Sequence, residues 1–446
     1  MIKRSLQWIA EKTNGTVAPQ FKDVMIDGVS IDSRQLNEAV LFIPFKGENV
    51  DGHQYVAQAL ESGAAAALWQ RDVQGMPEEA PLVVVEDTLT ALQAIGKAYL
   101  EEVNPKVIAI TGSNGKTSTK DMVEAVLAPN FKVKKTQGNY NNEIGLPITL
   151  CQLDEDTEIS ILEMGMSGFG EIEFLSNLAT PDIAAITNIG ESHMRDLGSR
   201  EGIAKAKFEI IKGLNGPLFY DGDEPLLNDL VEVSKGEFKK IGFNTDNDFY
   251  IHDLQASEKS ISFKIGDAQF SAPTLGAHNA RNATIAIAIG RLLGLDDAVI
   301  NENLGKLHLT NMRMEQIIGL NKARLINDAY NASPTSMRAA IDTLSIMDVP
   351  KKIIVLSDVL ELGPDSQAYH ESVGTYFENK AIDQLYTVGT EAVHISNAAQ
   401  AFTQVLHFDT KEDLEAELVK HLDAETVVLF KASRGMALET IINNLI

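Results

Sequence analysis

The strongest constraint on this chain's fold is a four-residue apolar run, Val107-Ile108-Ala109-Ile110, which leads into a glycine-rich loop and then a helical pattern over 117–127. The loop reads Thr111-Gly112-Ser113-Asn114-Gly115-Lys116-Thr117-Ser118. An uninterrupted apolar run is what a strand buried on both faces of a parallel sheet requires. Glycines between such a strand and a helix let the backbone fold closely around phosphate oxygens. The helix N-terminus adds free N–H groups and the positive end of its dipole. Lys116 is then placed to reach the β- and γ-phosphates, and the Thr117 hydroxyl to ligate magnesium. The spacing is shorter than in the usual phosphate loop, because Gly112 and Gly115 enclose only two residues. The bland alternative is a glycine-rich turn before a helix. It is disfavoured because strand, Lys-Thr pair and helix all fall in register.

The same rhythm continues downstream. Apolar runs at 159–162 and 183–186 alternate with helical patterns at 171–178 and 201–211, as in βαβ units. Residues 248–271 change to short alternating strands, which predicts a small antiparallel appendage, and a long apolar helix at 279–293 follows. Strands at 324–327, 353–356, 384–388 and 427–430 interleave with helices at 335–344, 366–378, 411–421 and 436–444. That pattern predicts a second doubly wound unit, Rossmann-like in kind. Ahead of the turn signal Asn104-Pro105, short strands at 40–43 and 82–85 flank a helix at 54–62. The expectation is an α/β chain of three domains, in keeping with its 446 residues. These are a smaller α/β N-terminal domain (1–104), a central phosphate-loop domain with a parallel sheet (105–312) and a C-terminal Rossmann-like domain (313–446).

The formal net charge of −25 sets nucleic acid aside as a partner. It also means that a cleft for anionic nucleotides must be locally cationic. The single cysteine, Cys151, excludes an internal disulfide and fits a reducing compartment. No long apolar run follows Lys3-Arg4, and no stretch approaches the ~20 apolar residues of a membrane span. The expectation is a soluble, cytoplasmic, monomeric protein.

Several polar residues fall beside the same sheet edge. Glu163 ends the strand at 159–162, where it could ligate magnesium or simply be solvated. His193 lies just past the strand at 183–186; a loop histidine is commonly a surface residue, but here a metal or phosphate role is equally open. Lys205 and Lys207 sit two apart on a helix and so point to different faces, and the pattern alone selects neither. Asn139, Asn141 and Asn142 crowd one polar turn. Turn asparagines commonly satisfy their own backbone, yet three on the phosphate-loop side point to substrate contacts. No Gly-x-Gly-x-x-Gly follows a strand, which sets a dinucleotide oxidoreductase aside.

Taken together these motifs resemble the Mur ligase family over essentially the whole chain. Residues 111–117 match that family's own short phosphate loop, and 138–145 are similar to its asparagine-rich turn. The resemblance implies an ATP-dependent ligase that uses two magnesium ions. It places the metal ligands at Thr117, Glu163, His193 and a carbamylated Lys207, chosen over Lys205 because it precedes the helix's aromatic and acidic residues. Lys116, His193 and Lys207 become the catalytic candidates. ATP contacts are implied for residues 111–118, for Asn279 and Asn282 near adenine, for Arg313, and for Asp328 on the ribose. Asp32-Ser33-Arg34 and Lys46-Gly47-Glu48-Asn49-Val50-Asp51-Gly52-His53 resemble the segments that hold a UDP-sugar. Ser33, Arg34, Lys46, Gly47, Asp51 and His53 are the implied contacts, and an arginine fork suits a diphosphate. The segments at 328–334, 358–363 and 431–436 resemble the branch that adds D-alanyl-D-alanine to UDP-N-acetylmuramoyl-tripeptide. That adds substrate contacts at Asn139, Asn141, Asn142, Tyr330, Asn331, Ser433 and Arg434. The rivals are another Mur ligase or a folylpolyglutamate synthase on the same scaffold, against which the asparagine-rich turn and residues 330–334 argue. A non-ligase ATPase would instead hydrolyse ATP with no amine acceptor.

Overall fold

The computed structural model describes residues 1–34, 36–47 and 50–446. The apolar run becomes strand Lys106–Thr111, with every residue after Lys106 buried. It pairs in parallel with Ile159–Glu163 on one side and Ile183–Ile186 on the other. The whole sheet has nine strands. From Lys106–Thr111 it runs through Ile159–Glu163 to Val133–Lys135 in one direction. In the other it runs through Ile183–Ile186, Pro217–Asp221 and Glu237–Gly242 to the hairpin strands Phe249–Ala256, Ile261–Ile265 and Ala268–Ala272. Strand order therefore reverses at Lys106–Thr111. A crevice opens there at the carboxyl ends of the strands, where the glycine-rich loop begins.

The antiparallel hairpins expected at 248–271 are present at one edge of the central sheet. Phe249–Ala256 pairs in parallel with Glu237–Gly242 at Ile241↔Phe249 and Gly242↔Tyr250, so the hairpins extend the main sheet. Their inward residues Ile261, Phe263, Ile265 and Phe270 join the core that also contains Ile285, Ile287 and Ile289 of helix Asn279–Leu292. That helix is buried round most of its circumference because it packs against helix Lys116–Leu127 as well as the sheet. Each isoleucine so buried contributes about 1.5–3 kcal/mol.

The N-terminal residues form a five-stranded sheet in the order Thr16–Val17, Leu82–Val85, Ala66–Gln70, Leu41–Phe42, Val29–Ser30. Helix Thr88–Val103 leads out of it, N-capped by Asp87 and ended by Asn104 in the left-handed region (φ 52°) before Pro105. Tyr99 on that helix donates its hydroxyl proton to Leu153 O at 3.0 Å, which ties it to the central part. The segment expected at 54–62 as one helix is a 3₁₀ turn, Gly52–Tyr55, followed by helix Val56–Glu61.

The C-terminal sheet has six strands. Their order is Glu315–Ile318, Arg324–Asn327, Thr426–Lys431, Lys351–Ser357, Gln384–Val388, Gln404–Phe408, all parallel except the first pair. The last helix is shorter than expected, Glu439–Asn444, because Ala437 turns left-handed (φ 50°) after a 3₁₀ turn at Arg434–Met436. No helix among the described residues is long and apolar enough to cross a membrane.

Candidate active site

The glycine-rich loop is held by its neighbours before any ligand is considered. Ser113 N donates to Asn188 O at 3.1 Å, and Asn114 N to the Asn188 side-chain oxygen at 3.0 Å. Gly112 has φ +151°, and a Cβ there would lie 1.8 Å from Thr187 Oγ1. Gly115 has φ +80°, and its Cβ would lie 2.8 Å from Asn282 Oδ1. Both positions therefore demand glycine, one for each wall of the crevice. Gly115→Ala adds about 1–2 kcal/mol of left-handed strain to that clash. It is expected to weaken triphosphate binding about tenfold or more, read by competition against a fluorescent nucleotide.

Lys116 opens the helix, and its Nζ donates back to Gly112 O at 2.9 Å across the loop it is meant to serve. Burial pulls its pKa below the ordinary lysine value, with Glu163 pulling it up and Arg313 pushing it down. One residue on, Thr117 Oγ1 donates to Glu163 Oε2 at 2.9 Å and accepts from Arg313 Nη2 at 3.2 Å. Asn141 Nδ2 donates to the other Glu163 oxygen at 2.9 Å. The strand-end acid, the asparagine turn and the phosphate loop thus meet at one carboxylate.

His193 sits across the crevice with a left-handed backbone (φ 62°). Its Nδ1 is 2.9 Å from Glu361 Oε2, an ion-pair distance, but off the line of a hydrogen bond. Burial lowers its pKa, and Lys207 adds to that while Glu361 opposes it. Of the two helical lysines, Lys205 is exposed, whereas Lys207 is 2% exposed and lines the cavity. Among the described residues Lys207 has no hydrogen-bond or ion-pair partner. Burial first, and Lys116 second, hold its pKa well below the ordinary value.

These groups line one cavity of about 1140 Å³ between the central and C-terminal sheets. Gly112, Ser113, Asn114, Gly115 and Ser118 line it on the loop side, with Asn139 and Asn142 beside them. Asn279 and Asn282 form part of its wall, with their amides turned to local partners: Asn279 Nδ2 donates to Leu275 O at 2.8 Å and Asn282 Nδ2 to Asn279 Oδ1 at 2.8 Å. Arg313 stacks over Tyr330 at 4.2 Å, and Arg434 lies 5.9 Å from the same ring. Asp328 accepts Met314 N at 3.2 Å and pairs with the buried Lys431, and Asn331 lines the same wall. Thr111 and Ser433 do not line the cavity. Thr111 Oγ1 donates to Met164 O at 2.9 Å, and Ser433 Oγ accepts Leu360 N at 2.9 Å, so both brace backbone beside it.

None of the six residues expected on the UDP-sugar reaches this cavity. The Arg34 side chain is 85% exposed and forked onto Asp32 at 2.9 Å, and Ser33 and Gly47 lie in the loops of the same sheet. Lys46 pairs with Asp72 at 3.2 Å. His53 is buried against Trp69; its Nδ1 is 2.6 Å from Asp51 Oδ1, and its Nε2 accepts Gln70 N at 3.1 Å. Asp51 Oδ1 and His53 Nδ1 therefore serve their own turn, and His53 Nε2 ties that turn to strand Ala66–Gln70. Glu48 and Asn49 of that segment lie outside the described residues.

Two features of the cleft have partners too distant along the chain for sequence to show. Glu191 accepts Thr335 N at 3.1 Å and Arg338 Nη2 at 3.1 Å, and Asn114 Nδ2 donates to Ser333 Oγ at 3.0 Å. The N-terminus of helix Pro334–Ser345 is thereby docked on the phosphate-loop side. Lys120, one turn after Lys116, lies 3.7 Å from Glu163 Oε2. Its i, i+4 spacing from Lys116 was the available signal.

The Mur ligase middle domain matches residues 110–290, the Mur ligase glutamate ligase domain residues 312–434, and the Mur ligase family catalytic domain residues 25–135. The UDP-N-acetylmuramoyl-tripeptide--D-alanyl-D-alanine ligase of Bacillus subtilis is 48% identical, covering 100% of this chain and 99% of its own. The Escherichia coli ligase of the same name is 32% identical over 100% and 99%. A crystal structure of MurF from Acinetobacter baumannii superposes with a TM-score of 0.91 at 29% identity, covering 100% and 99%. MurF from Thermotoga maritima in complex with ADP gives 0.82 at 28%, covering 93% and 96%.

Proposed function

Because this chain belongs to the Mur ligase family, we propose that it joins D-alanyl-D-alanine to UDP-N-acetylmuramoyl-tripeptide, converting ATP to ADP and phosphate and yielding the pentapeptide precursor of peptidoglycan. The observation that carries this is full-length identity of 48% to a ligase of that name, together with convergence of Lys116, Glu163, His193, Lys207, Tyr330 and Arg434 on one cavity. We place domain limits at 104/105 and 312/313, supported by the way the described strands within 3–85, 106–272 and 315–431 pair only within their own group. A cytosolic monomer that binds no nucleic acid fits the net charge of −25 and the lone buried Cys151, whose thiol burial pushes up to about 12.

Thr117 and Glu163 offer hard oxygen ligands 2.9 Å apart, a donor set suited to magnesium. His193 Nδ1, buried and without a hydrogen bond, and the unpartnered Lys207 fit a second ion, provided Lys207 carries a carbamate. Magnesium, when bound, neutralises charge on the transferring phosphoryl oxygens.

A free carboxylate is a poor acyl donor because hydroxide is a poor leaving group. Transfer of the γ-phosphoryl of ATP to the tripeptide carboxylate breaks the β–γ bridge and makes an acyl phosphate. Lys116 leaves Gly112 O and follows the γ-phosphoryl oxygens, stabilising charge that grows in transfer. The helix N-terminus at Lys116 holds the phosphates, and Arg313, stacked on Tyr330, reaches the same locus from the C-terminal side. The dipeptide amine then attacks the acyl carbon and phosphate leaves, the amine losing its proton. Arg434, at the cavity rim, is placed to face the dipeptide carboxylate. Docking of Ser333 and Thr335 onto Asn114 and Glu191 narrows the cleft and keeps water from the acyl phosphate.

The direct test is mass spectrometry of the product formed with D-alanyl-D-alanine, glutamate, lysine or diaminopimelate as the amine. Pentapeptide from the dipeptide alone supports the assignment, and preference for a single amino acid refutes it. His193→Ala is expected to lower kcat/KM by about 10–100-fold, with a magnesium series restoring only a small part. Full recovery at high magnesium would assign His193 an indirect role.

A further inference from the structure

The mechanism above leaves Lys120 unused, although this second lysine of helix Lys116–Leu127 is only 2% exposed. Its Nζ donates to Thr136 O at 2.8 Å and lies 3.7 Å from Glu163 Oε2. Thr136 accepts Glu163 N–H on its Oγ1 at 3.0 Å, and its own N–H donates to Ile161 O at 2.9 Å. Lysine, threonine and strand Ile159–Glu163 therefore close a ring around the carboxylate. Glu163 is also held independently, by Thr117 on one oxygen and Asn141 on the other. Removing the Lys120 charge would change the field at the carboxylate and leave its placement to those two bonds.

We propose that Lys120 is a positioning residue acting through Glu163, its buried ammonium holding the divalent-cation affinity of the Thr117–Glu163 pair below what the carboxylate alone would give. A fixed cation a few ångströms from a bound divalent ion repels it, and in a buried site salt screens that repulsion little. The consequence is a site that takes up its cation with the nucleotide and gives it up with ADP. The inference rests on the reading of Glu163 as a cation ligand.

The test is Mn²⁺ binding in the presence of ADP, followed by electron paramagnetic resonance, for wild type, Lys120→Met, Lys120→Gln, Glu163→Gln and the Lys120→Met/Glu163→Gln pair. Lys120→Met is expected to bind Mn²⁺ about tenfold more tightly, with Lys120→Gln moving the same way should the methionine variant fail to fold. The gain is expected to vanish in the Glu163→Gln background. A purely structural lysine would lower Tm and leave Mn²⁺ affinity where it was. Unchanged or weaker binding in the lysine variants, or a gain that survives Glu163→Gln, overturns the proposal. Wild-type affinity in Glu163→Gln alone would remove the ligand reading and the proposal with it. Weakened binding there, with no gain in Lys120→Met, would remove the proposal only.

Discussion

Replacing Lys116 with alanine is expected to leave the protein folded and to cut turnover by about 10²–10³-fold, the usual cost of losing one group aimed at developing charge. Folding should survive because the Lys116 Nζ bond to Gly112 O is its only hydrogen bond among the described residues, and burial already disfavours its ammonium. The loop's shape is set elsewhere, by Asn188, Thr187 and the two glycines. The loss should therefore appear chiefly in kcat, with KM for the dipeptide little changed, because the proposed dipeptide contacts, Tyr330 and Arg434, belong to the C-terminal side of the cavity and not to the loop. Phosphate release under saturating substrates, with a thermal melt alongside, checks this. Near-normal turnover in a folded Lys116→Ala protein would mean that the loop holds no γ-phosphoryl group.

The second large effect is expected at Lys207. Its amine is buried beside Lys116 and, among the described residues, has no carboxylate to pair with, so burial shifts the balance toward the neutral amine. A neutral amine is the form that attacks carbon dioxide: its lone pair bonds to carbon, one proton leaves, and a carbamate with one negative charge results. The carbamate supplies a carboxylate-like ligand at a position where an ammonium would repel magnesium. Lys207→Ala is expected to lose about 10²-fold or more in kcat/KM, whereas Lys205→Ala, on the exposed face, should lose little. Wild-type protein in ¹³C-bicarbonate should show a carbamate carbon that Lys207→Ala lacks. The sign with pH follows from the lowered pKa. The signal should persist at neutral pH and fade as acid protonates the amine. No carbamate signal at neutral pH, with activity unchanged on removing carbon dioxide, would leave Lys207 a buried amine.

Strand Lys106–Thr111 and its loop were legible because their signal is local: an apolar run, two glycines and a helix in register. The same holds for the parallel strands on either side, whose apolar runs need no partner to be recognised. The continuity of the hairpins with the main sheet was not legible, since it depends on Gly242 meeting Tyr250 across a turn. The helix period placed Lys205 and Lys207 on different faces. Which face is inward depends on how the helix rolls against its neighbours, a tertiary fact. The role of Glu191 is not local either, because its partners Thr335 and Arg338 lie 144 and 147 residues away. For Lys120 the i, i+4 spacing from Lys116 puts the two lysines on one helix face, but that this face turns to Glu163 is a tertiary fact. Asp51 and His53 illustrate the opposite case, where a recognisable motif has polar groups taken up within its turn and by the adjacent strand.

The central claim is that phosphoryl transfer here is harnessed to amide formation with a dipeptide. Phosphate release from ATP, measured with UDP-N-acetylmuramoyl-tripeptide and D-alanyl-D-alanine each present or omitted, tests it most directly. Sustained release is expected only with both, matched mole for mole by UDP-N-acetylmuramoyl-pentapeptide. Release that continues without the dipeptide, or that follows a different amine, would contradict it.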